Sequence, residues 1–268
     1  MYCRGMPTPR LHTTTTGSGP SLVLLHANGG DHRDFGAVID GLVESGWRIT
    51  TIDFPGHGPS PRHSPESAVG FGAALTDALD DLGGSHVLLG NSVGGFAALY
   101  AAAHRPEQVA GLVLVSPGGF TPRWFGTTAT CRLFGSARVA PVVYRRLPRL
   151  YLRGRDPEVT SAIARAEEAS RSPERAEVYG RVWRSFADPD HDGRSLAEAV
   201  SCPTLLVWGT RDPVLPWHLD GRRARAALPA AQTVTFAGAG HQPFIERPAE
   251  FLDRTAPFLS TLQRTMAR

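Results

Sequence analysis

Residues 87–104 read VLLGNSVGGFAALYAAAH, and the way this stretch divides decides the fold. Residues 87–90 are apolar at nearly every position, the pattern of a strand covered on both faces. Residues 95–104 have the composition of a helix, which ends before Pro106. Between them stands Gly90-Asn91-Ser92-Val93-Gly94-Gly95, a G-x-S-x-G sequence at a strand-to-helix turn. So sharp a turn pushes its middle residue out at the top of a sheet, in a strained backbone conformation. Side chains at positions 90 and 94 would collide with neighbouring backbone, and both positions are glycine. Ser92 is the candidate nucleophile. The helix start beneath it offers free N–H groups and a positive dipole end to an anionic oxygen.

A serine hydroxyl is a weak nucleophile near neutral pH, so it needs a base, and the base needs an orienting acid. Of the 10 histidines, His241 is the best placed. It sits in Gly238-Ala239-Gly240-His241-Gln242-Pro243, a loop of small residues just after the strand-like run QTVTF (232–236). The acid is expected between nucleophile and base in chain order, at another strand end. Asp212 fits, following LLVWG (205–209). The competing position after LVLVS (112–116) offers Pro117-Gly118-Gly119 and no carboxylate. A tetrahedral intermediate needs two N–H donors at its oxygen. The backbone of Val93 is one. The other is expected from the loop His26-Ala27-Asn28-Gly29-Gly30, at Asn28 or at its neighbour Ala27.

Outward from this centre, LVLLH (22–26) and RITTID (48–53) are further strand-like runs, with helical stretches at 34–44, 73–82 and 95–104. Strand and helix in alternation give a three-layer α/β domain with a mostly parallel sheet. The rhythm breaks after Pro117 and resumes at Pro203. In between lie short helical segments cut by prolines, and Ser172-Pro173-Glu174 is a well-formed helix start. The chain therefore divides into a core of residues 1–118 and 201–268 and a helical insertion, 119–200. Charge follows the same division. Residues 120–200 carry 14 Arg against 10 acids, and the remainder 14 Arg against 15.

Composition excludes other classes. The chain has 268 residues, 41% of them hydrophobic, enough for a large core. All 28 basic residues are arginine, so a lysine Schiff base and a P-loop lysine are ruled out. Cys3, Cys131 and Cys202 are isolated, which gives no disulfide framework or zinc ribbon and suits a reducing compartment. No apolar run approaches a membrane span, and the N-terminus lacks the apolar region of a signal peptide. The expectation is a cytoplasmic protein acting on a small molecule, without a nucleic-acid or membrane partner. Its net charge of +3 is small, and it carries no recognised nucleic-acid module.

Six pieces occur in order: LVLLHANGG, DFPGHGPS, LLGNSVGG, GLVLVSPGG, LLVWGTRDPVLP and GAGHQPFIERP. Through them the chain resembles the α/β-hydrolase superfamily with a helical cap, over nearly its whole length. The resemblance implies an eight-stranded sheet and a triad of Ser92, Asp212 and His241 that uses no cofactor and no metal. It implies a cap over Ser92, with Trp124, Phe125, Tyr179, Trp183 and Ala27 as candidate substrate contacts. The activity implied is hydrolysis of a carboxylic ester, lactone or thioester of a hydrophobic acid. The G-N-S-x-G-G elbow is also similar to that of hydrolases that cleave C–C bonds of ring-fission diketones. A non-catalytic ligand-binding or biosynthetic auxiliary role is the alternative of another class. Haloalkane dehalogenases and epoxide hydrolases of this superfamily use aspartate where this chain has Ser92. His57 is expected in a structural turn, and Asp31 and His32 as loop and helix-cap residues. His26-Ala27 departs from the usual His-Gly. RLHTTTT is the only candidate strand before LVLLH, and Pro257 predicts a kink or break in the last helix.

Overall fold

The computed structural model describes residues 10–267, so Cys3 lies outside the described residues. Seven strands form one sheet in the order β1-β3-β2-β4-β5-β6-β7: β1 Thr13–Thr16, β2 Ser21–Leu25, β3 Arg48–Ile52, β4 His86–Asn91, β5 Val109–Val115, β6 Thr204–Gly209 and β7 Gln232–Phe236. Only β1 runs antiparallel, against β3. The expected eighth strand is not among the described residues, and RLHTTTT supplies just the four residues of the exposed edge strand β1.

Every residue of β2, β4 and β6 is buried, as their uninterrupted apolar runs require. Alternation along a strand sends Val23, Leu25, Leu88, Leu112, Leu114, Leu206 and Trp208 to one face. There they meet α2 (Ala68–Leu82) and α3 (Val93–His104). Leu22, Leu24, Val87, Leu89, Val113 and Val115 go to the other face, packing on α1 (Gly36–Glu44) and on the C-terminal helix (Pro248–Met266). Helix α2 starts five residues before the apolar periodicity suggests, because Ser67 caps it by accepting from the Gly70 N–H at 3.0 Å.

Between β5 and β6 the chain is helical: α4 Phe125–Phe134, α5 Ala140–Arg146, α6 Pro148–Tyr151, α7 Pro157–Ala169, α8 Pro173–Ser185 and α9 Gly193–Ala197. Ser172 caps α8, accepting from Arg175 N–H. After β6 come a π-helical turn, Trp217–Gly221, and three α-helices: α10 Arg222–Ala227, α11 Pro243–Glu246 and α12 Pro248–Met266. The expected break at Pro257 does not occur, since α12 continues through it. Pro257 is on the exposed side, where the carbonyl it deprives of a donor meets water, while Phe251, Thr255, Phe258 and Leu262 hold the buried side. Among the described residues, no helix is long and apolar enough to cross a membrane.

Candidate active site

Ser92 sits between β4 and α3 with φ 55° and ψ −115°, a conformation that a non-glycine residue adopts only when its surroundings impose it. Its N–H donates to Val115 O at 3.0 Å, and its carbonyl accepts from Phe96 N–H and Gly118 N–H. The two glycines are required by close approach. A Cβ on Gly90 would lie 2.3 Å from Gly94 O, and one on Gly94 would lie 2.4 Å from Leu25 O.

His241 and Asp212 are brought together. The imidazole Nδ1 bonds Asp212 Oδ2 at 2.6 Å, and both residues are buried. The other carboxylate oxygen accepts from the N–H groups of Val214 (2.8 Å) and Leu215 (3.0 Å). Asp212 is thus held by the turn after β6, with one oxygen left for the histidine. A neutral His241 donates its Nδ1 proton to that oxygen, which leaves the lone pair on Nε2 to take a proton.

The histidine loop is tied to the serine turn by Asn91. Asn91 Nδ2 donates to Val115 O (2.9 Å) and to His241 O (3.2 Å), and its Oδ1 accepts from Gln242 Nε2 at 2.9 Å. The amide is fully engaged within the protein. Glu246 organises the same loop, accepting from the N–H groups of Gly240 (2.7 Å), Gln242 (3.1 Å) and Arg153 (3.1 Å). Burial pushes the Glu246 carboxyl up, and these backbone donors oppose the shift. The helical segment also touches the histidine directly. His241 N–H donates to Tyr151 O at 3.0 Å, and the Tyr151 ring meets the imidazole edge-on.

The loop after β2 is pinned from two sides. Gly29 N–H donates to His57 Nε2 and Gly29 O accepts from Tyr144 OH, at 3.0 and 2.9 Å. Asn28 Nδ2 donates to Tyr179 O at 3.0 Å. Ala27 is buried, with its carbonyl accepting from Gly30 N–H and His26 Nδ1, so it belongs to the turn and does not face open space. Burial pushes the His57 imidazole down to about 3, so it stays neutral while Nδ1–H donates to Pro55 O and Nε2 holds Gly29. Asp31 caps the short turn His32–Phe35, accepting from Arg33 N–H.

A cavity of about 550 Å³ opens at Ser92, with Asn28 and Val93 in its wall. Trp124 and Trp183 line it, and so do Phe134, Phe186 and the half-buried Cys131. Two other aromatic candidates lie elsewhere. Phe125 is 87% exposed, and Tyr179 is buried in a stack on Tyr144 with centroids 4.3 Å apart. The segment between β5 and β6 has no long apolar period, so nothing in the sequence separates lining aromatics from the rest. The described residues also hold one group of metal-ligating type, His12, His32 and Asp53. His12 and His32 each place Nδ1 on the buried Asp53 Oδ2, at 2.9 and 2.8 Å, beside the β1–β3 edge.

A family model described as alpha/beta hydrolase fold matches residues 20–248. An sn-1-specific diacylglycerol lipase of Mus musculus is 31% identical, over 90% of this chain and 81% of its own. A pimeloyl-[acyl-carrier protein] methyl ester esterase of Nitrosomonas europaea is 30% identical, over 90% of this chain and 96% of its own. Among solved structures, a thermophilic esterase from Thermogutta terrifontis superposes with a TM-score of 0.81 at 23% identity, covering 94% of each chain.

Proposed function

Because this chain belongs to the α/β-hydrolase family, we propose that it is a serine hydrolase that cleaves a carboxylic ester, lactone or thioester of a hydrophobic acid. The observation that carries the reading is the His241–Asp212 pair, 2.6 Å apart, in a loop anchored through Asn91 to the strained turn at Ser92. His241 Nε2 takes the hydroxyl proton as Ser92 Oγ attacks the acyl carbon. The N–H groups of Val93 and Asn28 hold the resulting oxyanion. His241 returns the proton to the departing oxygen or sulfur, leaving an acyl-Ser92. A water, deprotonated by His241, then releases the acid. Asp212 keeps the imidazole in the productive tautomer and stabilises its cation.

Residues 119–200 act as the cap over a core made of residues 1–118 and 201–268. Trp124, Phe134, Trp183 and Phe186 give the cavity an aromatic wall suited to an apolar acyl group. Two of the relatives named above are lipid or methyl ester hydrolases by name, in line with an ester substrate. The Asn91 side chain is consumed by internal bonds, so the elbow sequence does not argue for a diketone substrate. The test is a panel of p-nitrophenyl esters of increasing acyl length beside a ring-fission diketone. Turnover of the esters, lost in Ser92→Ala, is the expected result. Turnover of the diketone alone would overturn the ester reading, and none at all would favour a binding role.

A further inference from the structure

Six large hydrophobic side chains are exposed on the described surface, and five of them fall between residues 124 and 150: Trp124, Phe125, Leu133, Val142 and Leu150. Trp124 is 63% exposed and Leu150 61%. Five exposed large apolar side chains within 124–150 are a concentration that the rest of the described surface, with Leu219 alone, does not show. The same segment is strongly basic. Residues 121–155 hold eight arginines and no acid, and all eight are exposed. Among the described residues only Arg149 of the eight has an ion-pair partner, Glu167. Some of the arginines elsewhere, Arg33, Arg62, Arg165 and Arg194 among them, are seated on carboxylates.

A merely solvated basic face would not also expose tryptophan, phenylalanine and leucine. A second copy of the chain cannot cover this face with the same face, because arginine would meet arginine. The occupant must be anionic and apolar together. We propose that α4, α5 and α6 dock the protein onto the surface of an anionic lipid bilayer. The arginines engage lipid phosphates, which guanidinium groups bind in a planar, two-point fashion. Trp124, Phe125, Leu133 and Leu150 enter the boundary between headgroups and acyl chains. This is surface attachment, compatible with helices too short and too polar to span a membrane. It revises the sequence-based expectation of no membrane partner.

The placement of the face relative to the cavity gives the docking a purpose. Leu150 belongs both to the groove beside Arg145, Arg146 and Arg149 and to the wall of the cavity at Ser92, and Trp124 stands in that wall too. An acyl chain can pass from the lipid boundary into the cavity along apolar side chains. Docking itself involves no bond making, so it is independent of the chemistry assigned to Ser92.

The experiment is co-flotation of the full-length protein with vesicles of phosphatidylcholine alone or mixed with phosphatidylglycerol. Association with the phosphatidylglycerol vesicles only, weakening as salt is raised, is the expected result. Ser92→Ala must bind like the parent. Replacing Arg145 and Arg146 by Gln should lower partitioning about fivefold per arginine, and W124S/F125S/L133S should lower it by about tenfold or more. The change R48Q/R264Q, on other elements, should leave it unchanged. Thermal melts of each variant confirm folding. No association at low salt, or an equal loss from R48Q/R264Q, overturns the proposal. Binding that responds to the arginines and ignores the apolar substitutions also overturns it, pointing to a hydrated polyanion such as an acidic protein.

Discussion

The side-chain amide of Gln242 donates to the side-chain oxygen of Asn91 at 2.9 Å, joining the histidine loop to the end of β4, 151 positions away in the chain. Through this bond, and through Asn91 Nδ2 on His241 O, the histidine loop is registered against the turn that carries Ser92. Asn91 is thus a positioning residue. It makes three hydrogen bonds, and each end of each bond is buried.

Asn91→Ala strands the carbonyl of His241 and the amide of Gln242, while Val115 O keeps the Ser92 N–H. Each unpaired buried group costs about 1–3 kcal/mol, so the variant should melt several degrees lower. Its kcat should fall more than tenfold with KM little changed, because the cavity wall is left in place. Steady-state kinetics on the best ester and a thermal melt check both. An unchanged kcat would show that the loop keeps its place without Asn91.

Asp212→Asn should keep the fold and lose the activity. An amide can satisfy the N–H groups of Val214 and Leu215 through its oxygen, but its NH2 then faces His241 Nδ1. The ring is driven to the opposite tautomer, with Nε2 protonated and unable to act as base. A loss of about 10³–10⁴ in kcat is expected, with a melting temperature close to that of the parent.

Two glycine-to-alanine changes should move stability in opposite directions. A Cβ on Gly94 would lie 2.4 Å from Leu25 O and 2.6 Å from His26 O, backbone atoms that cannot step aside. Gly94→Ala should cost several kcal/mol or abolish folding. Gly36 lies at the start of α1, and a Cβ there meets nothing within 4 Å. Gly36→Ala should stabilise by about 0.5–1 kcal/mol, since alanine restricts the unfolded chain and favours the helix. Urea titrations of the two variants give the comparison.

Asp220 provides a pH test. It is buried; Thr121 Oγ1 donates to its Oδ1, and its Oδ2 has no hydrogen-bond partner among the described residues. Burial pushes its carboxyl up from 3.8 to about 6, and the charge of Asp212 adds to this. The folded state therefore holds more protons than the unfolded state between those values, so stability falls as pH rises through the window. Asp220→Asn keeps an acceptor for Thr121 and carries no charge. It should gain up to about 3 kcal/mol over the parent at pH 8 and nothing near pH 4. A gain of the same size at both pH values would assign the effect to something other than ionisation.

The parts of the site that were legible in sequence are those whose reason is local. Ser92 is marked by glycines four residues apart, because a single turn brings their neighbours into collision. Asp212 and His241 stand directly after apolar strands, and parallel strands deliver their ends to one edge of the sheet. What escaped the sequence joins distant segments. Glu246 binds the Arg153 N–H from 93 positions away, and the Tyr151 carbonyl meets His241 N–H. No spacing rule connects such positions. Phe125 and Phe134 show the same limit on α4. One is solvent-exposed and the other lines the cavity, a difference set by how α4 rests on α8. The expected break at Pro257 failed because α12 has enough buried side chains on both sides of the proline to hold a single helix.

The most direct test of Ser92 as an activated nucleophile is covalent capture. The folded protein is treated with a fluorophosphonate, its intact mass is taken, and the modified peptide is sequenced. An activated Ser92 should give one adduct per chain on that residue, abolished in Ser92→Ala and strongly slowed in Asp212→Asn. A folded protein that forms no adduct, or forms it on a residue other than Ser92, would contradict that role.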